Sequence, residues 1–114
     1  MPAQPLSSQI MPQEVSKCVE NGEKVTLIDV REPFEHQIAR LNGSELIPMK
    51  TLVENLSRFE ELAGEATLVV YCHHGIRSLN AVSWLRDRGI LNCQSLAGGI
   101  DRWSLEIDSN IPRY

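Results

Sequence analysis

The chain has 114 residues, of which 42% are hydrophobic and 23% are charged, and its formal net charge at pH 7 is -4. This composition is typical of one globular domain with its own hydrophobic core. The acidic balance and the lack of a basic run argue against a nucleic-acid-binding protein. Since no apolar stretch is long enough to cross a bilayer, we also expect no membrane partner.

The predicted secondary structure alternates between helices and strands. We expect a flexible N-terminal arm at residues 1–8 and a single domain at residues 9–114. Apolar residues at helical spacing, with proline starts and glycine stops, predict helices at residues 12–20, 33–38, 51–62 and 77–88. Short apolar runs predict strands at residues 25–30, 45–48, 67–71 and 94–97. A turn at Gly98-Gly99 leads into a further segment, and residues 105–114 are predicted to be an irregular tail.

This alternation is typical of an α/β fold with a mostly parallel sheet. In such sheets the ligand binds beyond the carboxyl ends of the strands. Asp29 and Arg31 lie where one predicted strand ends, and Cys72 directly follows another. The sequence therefore predicts a functional site at this edge of the sheet, with Cys72 at its centre.

Cys72 is followed by a tight turn and then by the start of a helix, in the order Cys72-His73-His74-Gly75-Ile76-Arg77-Ser78. Such a turn aims backbone N–H groups inward, and the helix N-terminus adds partial positive charge. Both effects favour a thiolate or persulfide anion. We therefore interpret Cys72 as the catalytic nucleophile rather than as the inert cysteine that often ends a core strand.

The rest of the turn supplies the candidate substrate-binding residues, which are His73, His74, Gly75, Ile76, Arg77 and Ser78. A cation at a helix N-terminus opposes the helix dipole, so Arg77 is expected to bind an anionic substrate, with a solvated residue in the first helical turn as the alternative. Gly75 is expected to supply a backbone shape that a side chain would prevent. His73 and His74 are either substrate contacts or passive loop residues. Ser78 either contacts the sulfur or caps the helix.

Other polar and reactive residues are assigned structural roles. Asp29 and Arg31 are expected to pin the neighbouring loop through hydrogen bonds or an ion pair. Glu35 and His36 are expected to be solvated. Cys18 and Cys93 are expected to be packed, with a resolving role for Cys93 as the alternative. The three cysteines form no C-x-x-C pair and no metal-ligand spacing, so we expect no metal.

Five stretches of the sequence, spanning about residues 9 to 104, resemble the rhodanese-like family. They are Leu27-Ile28-Asp29-Val30-Arg31-Glu32-Pro33, Ile47-Pro48, the Cys72 to Ser78 turn, Leu96-Ala97-Gly98-Gly99-Ile100, and Trp103. The resemblance implies a five-stranded, mostly parallel sheet with helices on both faces. It also implies a catalytic cysteine that holds sulfane sulfur as a persulfide. The tail, ending in Ile111-Pro112-Arg113-Tyr114, looks like that of rhodanese domains fused to adenylyltransferases.

The resemblance implies a thiosulfate sulfurtransferase that needs no cofactor. Its expected partners are a small anionic sulfur donor such as thiosulfate and a thiol or protein-cysteine acceptor. Related folds that bind phosphate use a C-x5-R spacing, whereas Cys72 and Arg77 are separated by four residues, which favours the smaller ring around one sulfur. A sulfur-relay module for a protein partner and a non-catalytic interaction module are the alternatives. Residues 1–11 lack the features of a signal peptide and the cysteine count suits a reducing compartment, so the sequence predicts a cytoplasmic protein.

Overall fold

The structure is a computed structural model that describes residues 6–114. The predicted flexible arm, residues 1–8, therefore falls mostly outside the described residues, and its mobility stays a prediction. The last residues of the arm contact the domain. The carbonyl of Ser7 accepts a hydrogen bond from Gln94 Nε2 at 3.0 Å, and the carbonyl of Ser8 accepts one from the Ser95 N–H at 2.8 Å.

The described residues form one five-stranded sheet in which all paired strands are parallel, with the strand order β1-β5-β4-β2-β3. This confirms the predicted α/β fold. The strands are β1 Gln9–Ile10, β2 Val25–Asp29, β3 Glu45–Leu46, β4 Thr67–Tyr71 and β5 Cys93–Leu96.

The helices are α1 Pro12–Glu20, α2 Pro33–Ile38, α3 Leu56–Ala63, α4 Ile76–Asp87 and α5 Gly99–Glu106. Two hydrophobic clusters show that they cover both faces of the sheet. Residues from α3 and α4 pack with one cluster, and residues from α1 and α5 pack with the other. Among residues 6–114, no helix is both long and apolar enough to cross a membrane.

The central strand β4 alternates between these two clusters, because successive side chains of a strand point to opposite faces. Leu68 and Val70 pack with the α3 and α4 cluster, whereas Val69 and Tyr71 pack with the α1 and α5 cluster. Cys72 continues the alternation and lies on the α4 side. The pleat of β4 thus turns the sulfur-bearing side chain toward the beginning of the helix that follows it.

The structure corrects several details of the predicted elements. Strand β3 ends at Leu46 rather than at residue 48, and helix α5 extends to Glu106, into the predicted irregular tail. Residues 51–62 were expected to form one helix, but the segment contains a 3-10 helix at Met49–Thr51, then turns, and α3 begins only at Leu56. Strand β1 was not predicted. It consists of two residues that pair with β5 at the edge of the sheet.

Candidate active site

The carboxyl ends of β2 and β4 meet at one edge of the sheet. Asp29 and Tyr71 are paired in register, and the N–H of Val30 donates to the carbonyl of Tyr71 at 3.1 Å. This pairing brings the residues that follow each strand together, as the sequence predicted. Cys72 is the first residue beyond β4, and only 1% of its surface is exposed.

Two backbone amides of the turn face the sulfur of Cys72. The N–H of Gly75 donates to Sγ at 3.1 Å and the N–H of Ser78 donates to it at 3.3 Å. Ser78 lies in the first turn of α4, so the positive end of the helix dipole is also directed at the sulfur. The arrangement suits an anionic sulfur, since amide donors stabilise negative charge and are already in place.

Gly75 makes this turn possible. It has a φ of +103°, in the left-handed region that glycine adopts without strain, and it caps the N-terminus of α4. A Cβ at this position would also lie 3.2 Å from the backbone nitrogen of Gly98. The prediction that a side chain would prevent this backbone shape is confirmed.

The hydroxyl of Ser78 also lies next to the sulfur. Its Oγ is 3.4 Å from Cys72 Sγ, 3.3 Å from the carbonyl of Gly75 and 2.7 Å from the hydroxyl of Ser95. Ser78 is fully buried, and no side-chain hydrogen bond caps the N-terminus of α4. Of the two roles left open by the sequence, the geometry therefore favours contact with the sulfur over capping.

The other side chains of the turn differ in their exposure to solvent, and that of His73 is half-buried. His74 is exposed, and Ile76 is 74% exposed. The ring of His73 stacks on that of Tyr114 at a centroid distance of 4.0 Å and lies 3.9 Å from the ring of His74. Burial, followed by the charge of His74, lowers the pKa of His73.

The guanidinium of Arg77 forms an ion pair with the carboxylate of Glu35. Its two terminal nitrogens donate to the two carboxylate oxygens of Glu35, at 2.8 and 2.9 Å. These hydrogen bonds lower the pKa of Glu35 to about 2 and raise the pKa of Arg77. The expectation that Glu35 is solvated is wrong, because only 5% of the residue is exposed. It stands at the third position of α2, where the sequence pattern indicates helix capping but not an ion pair 42 residues away.

Asp29 and Arg31 form a buried ion pair, as the sequence predicted. Arg31 donates to the two oxygens of Asp29 at 2.8 and 2.7 Å, and both side chains are fully buried. Burial opposes the charge of Arg31, but its hydrogen bonds to Asp29 outweigh this effect and raise its pKa. His36 was expected to be solvated, which is also wrong, since its Nδ1 lies 2.8 Å from the Asp29 carboxylate.

Tyr114 is the residue that sequence reasoning missed. The tail was expected to be irregular, and its last residue returns to the Cys72–Ser78 turn. The Tyr114 hydroxyl accepts a hydrogen bond from Arg31 at 2.6 Å and donates one to Glu35 at 2.9 Å. No periodicity or local motif links residues so far apart in the sequence, and the likeness of the tail to that of fused domains was the one available signal.

The two remaining cysteines, Cys18 and Cys93, are free thiols. Cys93 is fully buried, its thiol donates to the carbonyl of Ile90 at 3.3 Å, and burial raises its pKa. Cys18 is half-buried at the surface of α1. Packing of Cys93 is confirmed, whereas its alternative role as a resolving cysteine stays a hypothesis. Within residues 6–114, no group of three or more histidine, cysteine or acidic side chains is placed to hold a metal ion.

Comparison with known proteins gives consistent matches over most of the chain. The family model for the rhodanese-like domain matches residues 11–106. The adenylyltransferase and sulfurtransferase MOCS3-2 from Zea mays is 37% identical over 114 residues, which cover 96% of this chain and 24% of that protein. The probable adenylyltransferase/sulfurtransferase MoeZ from Mycobacterium tuberculosis is 34% identical over 107 residues, which cover 94% and 27%. The chain thus spans about a quarter of the length of these curated relatives.

A solved structure of similar size shows the same architecture. The rhodanese-related protein from Thermoplasma volcanium superposes with a TM-score of 0.75 at 32% sequence identity. The superposition covers 89% of this chain and 94% of that one. The likeness therefore extends over nearly the whole of both molecules.

Proposed function

This chain belongs to the rhodanese-like domain family, and on that premise we propose that it is a sulfurtransferase that works through a persulfide on Cys72. It takes sulfane sulfur from thiosulfate or another donor and passes it to a thiophilic acceptor. One observation supports this proposal above all others. A nearly buried cysteine sulfur lies at the end of a central strand and accepts hydrogen bonds from two amides at the start of a helix.

The first half of the reaction loads the enzyme with sulfur. The thiolate of Cys72 attacks the outer sulfur of thiosulfate with its electron pair and forms a new S–S bond. The S–S bond of thiosulfate breaks at the same time, and sulfite leaves with the electron pair of that bond. The product is a Cys72 persulfide, and the negative charge moves onto its outer sulfur.

The second half regenerates the thiolate. An acceptor thiolate attacks the outer sulfur of the persulfide, the Cys72 S–S bond breaks, and Cys72 keeps the electron pair. The acceptor leaves as a persulfide, so the cycle balances without an added oxidant, reductant or cofactor. A protein cysteine or a small thiol serves as the acceptor in this scheme.

The residues of the turn have separate roles in this proposal. The amides of Gly75 and Ser78, with the dipole of α4, stabilise the anionic sulfur before and after loading. The Ser78 hydroxyl donates to the carbonyl of Gly75 and lies 3.4 Å from Sγ, so it is placed to turn its single proton toward an anionic sulfur. The proposed scheme starts from the Cys72 thiolate and gives His73 and His74 no proton to transfer. Arg77 adds positive charge to the surroundings of the turn, although Glu35 neutralises much of it.

Intact mass spectrometry after incubation with thiosulfate and other sulfane donors tests the proposal. We expect an adduct of one sulfur atom that is absent in Cys72→Ser. Cys18→Ser and Cys93→Ser are matched controls, and both should keep the adduct. If no sulfane donor produces an adduct, the proposal is wrong, and the non-catalytic interaction module becomes the better interpretation.

A sulfur-relay module that serves a protein partner is the second candidate. Two observations favour it. The names of the relatives MOCS3-2 and MoeZ include both adenylyltransferase and sulfurtransferase, and their chains are about four times as long as this one. The pairing of Arg77 with Glu35 also leaves little net charge to attract a small dianion. This candidate predicts slow loading from thiosulfate and fast transfer from or to a protein persulfide, measured with a panel of donors and acceptors.

A further inference from the structure

Tyr114 lies beyond residues 11–106, the segment that matches the family model, and the proposed reaction gives it no role. Its hydroxyl nevertheless stands between the two ion pairs of the site. It accepts a hydrogen bond from the Arg31 of one pair and donates a hydrogen bond to the Glu35 of the other. Tyr114 thereby connects the end of β2 to the turn that holds the nucleophile.

The carboxylate of Glu35 depends on this hydroxyl for its full set of hydrogen bonds. An ionised carboxylate offers about four acceptor positions, two on each oxygen. Oε1 accepts from Arg77 and Tyr114, and Oε2 accepts from Arg77 and the backbone N–H of Glu32, all at 2.8–2.9 Å. All four positions are thus occupied, and Tyr114 supplies the one donor that comes from the tail.

The phenol is suited to donate at physiological pH. Burial raises the pKa of Tyr114 to about 12, so the hydroxyl stays protonated. With Arg31 as the donor to its oxygen, the free direction of its O–H points to Glu35. Because the Arg31 cation can only donate and the Glu35 carboxylate can only accept, the directions of both hydrogen bonds of the phenol are fixed.

The tail is also held by contacts of the residues just before Tyr114. Arg113 forms an ion pair with Asp101, with donor–acceptor distances of 2.8 and 3.2 Å, and Ser104 donates to the carbonyl of Ile111 at 2.5 Å. The ring of Tyr114 stacks on that of His73 with only 6° between their planes. His73 directly follows the nucleophile, so the tail contacts the active-site turn through its ring as well as through Glu35.

We infer that Tyr114 is a positioning residue of the sulfur-transfer site. Its hydroxyl orients the Glu35 carboxylate, which in turn fixes the guanidinium of Arg77 beside the Cys72 turn. This inference rests on the proposed reaction at Cys72. It differs from a purely structural role because the effect of Tyr114 passes through Arg77.

Tyr114→Phe isolates the hydroxyl, because the phenyl ring still stacks on His73. Loss of a hydrogen bond to a charged group corresponds to about a tenfold lower rate of sulfur loading. In the Arg77→Gln background the same substitution should have no further effect on that rate. If Arg77→Gln does not fold, Arg77→Lys serves in its place, because lysine cannot make the two-pronged contact with Glu35.

A spectroscopic measurement follows the positioning directly. In wild type the guanidinium protons of Arg77 should exchange slowly with water, and in Tyr114→Phe they should exchange faster, as seen by NMR of labelled arginine side chains. Arg58, which pairs with Glu45 at the surface, is the internal control, and the exchange rate of its protons should not change.

The outcomes separate this inference from the proposed function. A wild-type protein that fails to load sulfur overturns the proposed function. The comparison of Arg77 proton exchange between wild type and Tyr114→Phe still tests the positioning role of Tyr114 in that case. The inference is overturned if Tyr114→Phe loads at the wild-type rate. It is also overturned if the loss persists undiminished without Arg77, or if the Arg77 protons exchange as in wild type.

Discussion

The backbone N–H of Ile100 donates a hydrogen bond of 2.9 Å to the carbonyl oxygen of Cys72. The next amide, that of Asp101, donates to the carbonyl of His73 at 3.1 Å. The first turn of α5 therefore uses N–H groups that have no partner within the helix to hold the two carbonyls at the start of the Cys72–Ser78 turn. This contact gives a physical reason for the Gly98-Gly99-Ile100 stretch of the sequence.

Gly99 allows that close approach, and Gly99→Ala should destabilise the protein strongly. A Cβ at this position would lie 2.3 Å from the carbonyl oxygen of His73 and 2.5 Å from that of Cys72. Left-handed strain and the backbone clash together should lower the free energy of unfolding by about 3–5 kcal/mol. Urea denaturation measures this loss, and any folded fraction should load sulfur slowly because its turn is displaced.

Gly22→Ala is the matched control for this prediction. Gly22 has a similar φ of +74°, but among the described residues other than its two chain neighbours, no heavy atom lies within 4 Å of a Cβ built there. Only the strain remains, so the loss should be about 1–2 kcal/mol, with unchanged sulfur loading. Equal losses in the two variants would show that the contact with the carbonyls is unimportant.

The elements that the sequence predicted well are those with an unbroken local pattern. The strand before Cys72 and the helix after it were placed within one residue, because an apolar run, a glycine and helical spacing follow one another without conflict. The helix prediction was wrong for residues 51–55, because side chains there form hydrogen bonds that compete with a helix. Thr51 Oγ1 donates to the carbonyl of Pro48, and Asn55 Nδ2 donates to that of Thr51.

The contacts of the candidate site also differ in whether the local sequence could predict them. The amides that face Cys72 belong to the same short turn, so the local sequence was enough to predict them. The environments of Glu35 and Tyr114 depend on partners 42 to 83 residues away, and no local pattern specifies such contacts. Expecting Glu35 to be solvated was reasonable for a carboxylate on a short helix, and the tertiary structure overrode it.

Glu35→Gln should reduce stability in a way that depends on pH. Folding lowers the pKa of Glu35 from 4.5 to about 2, chiefly through its hydrogen bonds with Arg77. A group with a lowered pKa stabilises the native state above its ordinary pKa, so at pH 7 the variant should lose about 3 kcal/mol. The difference from wild type should shrink as the pH falls from about 4.5 towards 2, measured by urea denaturation at a series of pH values.

Glu45→Gln provides the comparison for the same measurement. Glu45 also pairs with an arginine, Arg58, but the side chains are 34% and 42% exposed. Solvent screens such a pair, so its removal should lower the free energy of unfolding by less than about 1 kcal/mol. A pH-independent loss in Glu35→Gln would contradict the proposed origin of its stabilisation.

Ser78→Ala should slow sulfur loading without abolishing it. The variant loses the hydroxyl that lies 3.4 Å from Cys72 Sγ but keeps the backbone N–H that donates to the same sulfur. One neutral hydrogen bond contributes about 1 kcal/mol, so the loading rate should fall about fivefold. Ser95→Ala removes the hydroxyl partner of Ser78 and should leave a larger fraction of the rate. A Ser78→Ala protein that loads at the wild-type rate would assign the stabilisation of the sulfur to the amides alone.

His73 should titrate at a lower pH in the native protein than an exposed histidine does. Burial and the charge of His74 lower its pKa from 6.5, although Asp101 and Glu35 partly oppose the shift. The unfolded chain therefore binds a proton first as the pH falls, and this group's contribution to stability is lost as the pH falls below 6.5.

Tyr114→Ala removes the ring that covers His73, and this gives the titration a direct test. The pKa of His73 should then rise towards 6.5, whereas Tyr114→Phe should leave it low, because the stacked ring remains. NMR titration of the imidazole signals follows both variants, and the upfield shift that a stacked ring imposes on His73 should disappear only in Tyr114→Ala. If the titration of His73 is the same in Tyr114→Ala as in wild type, the cover provided by Tyr114 is not the source of its burial.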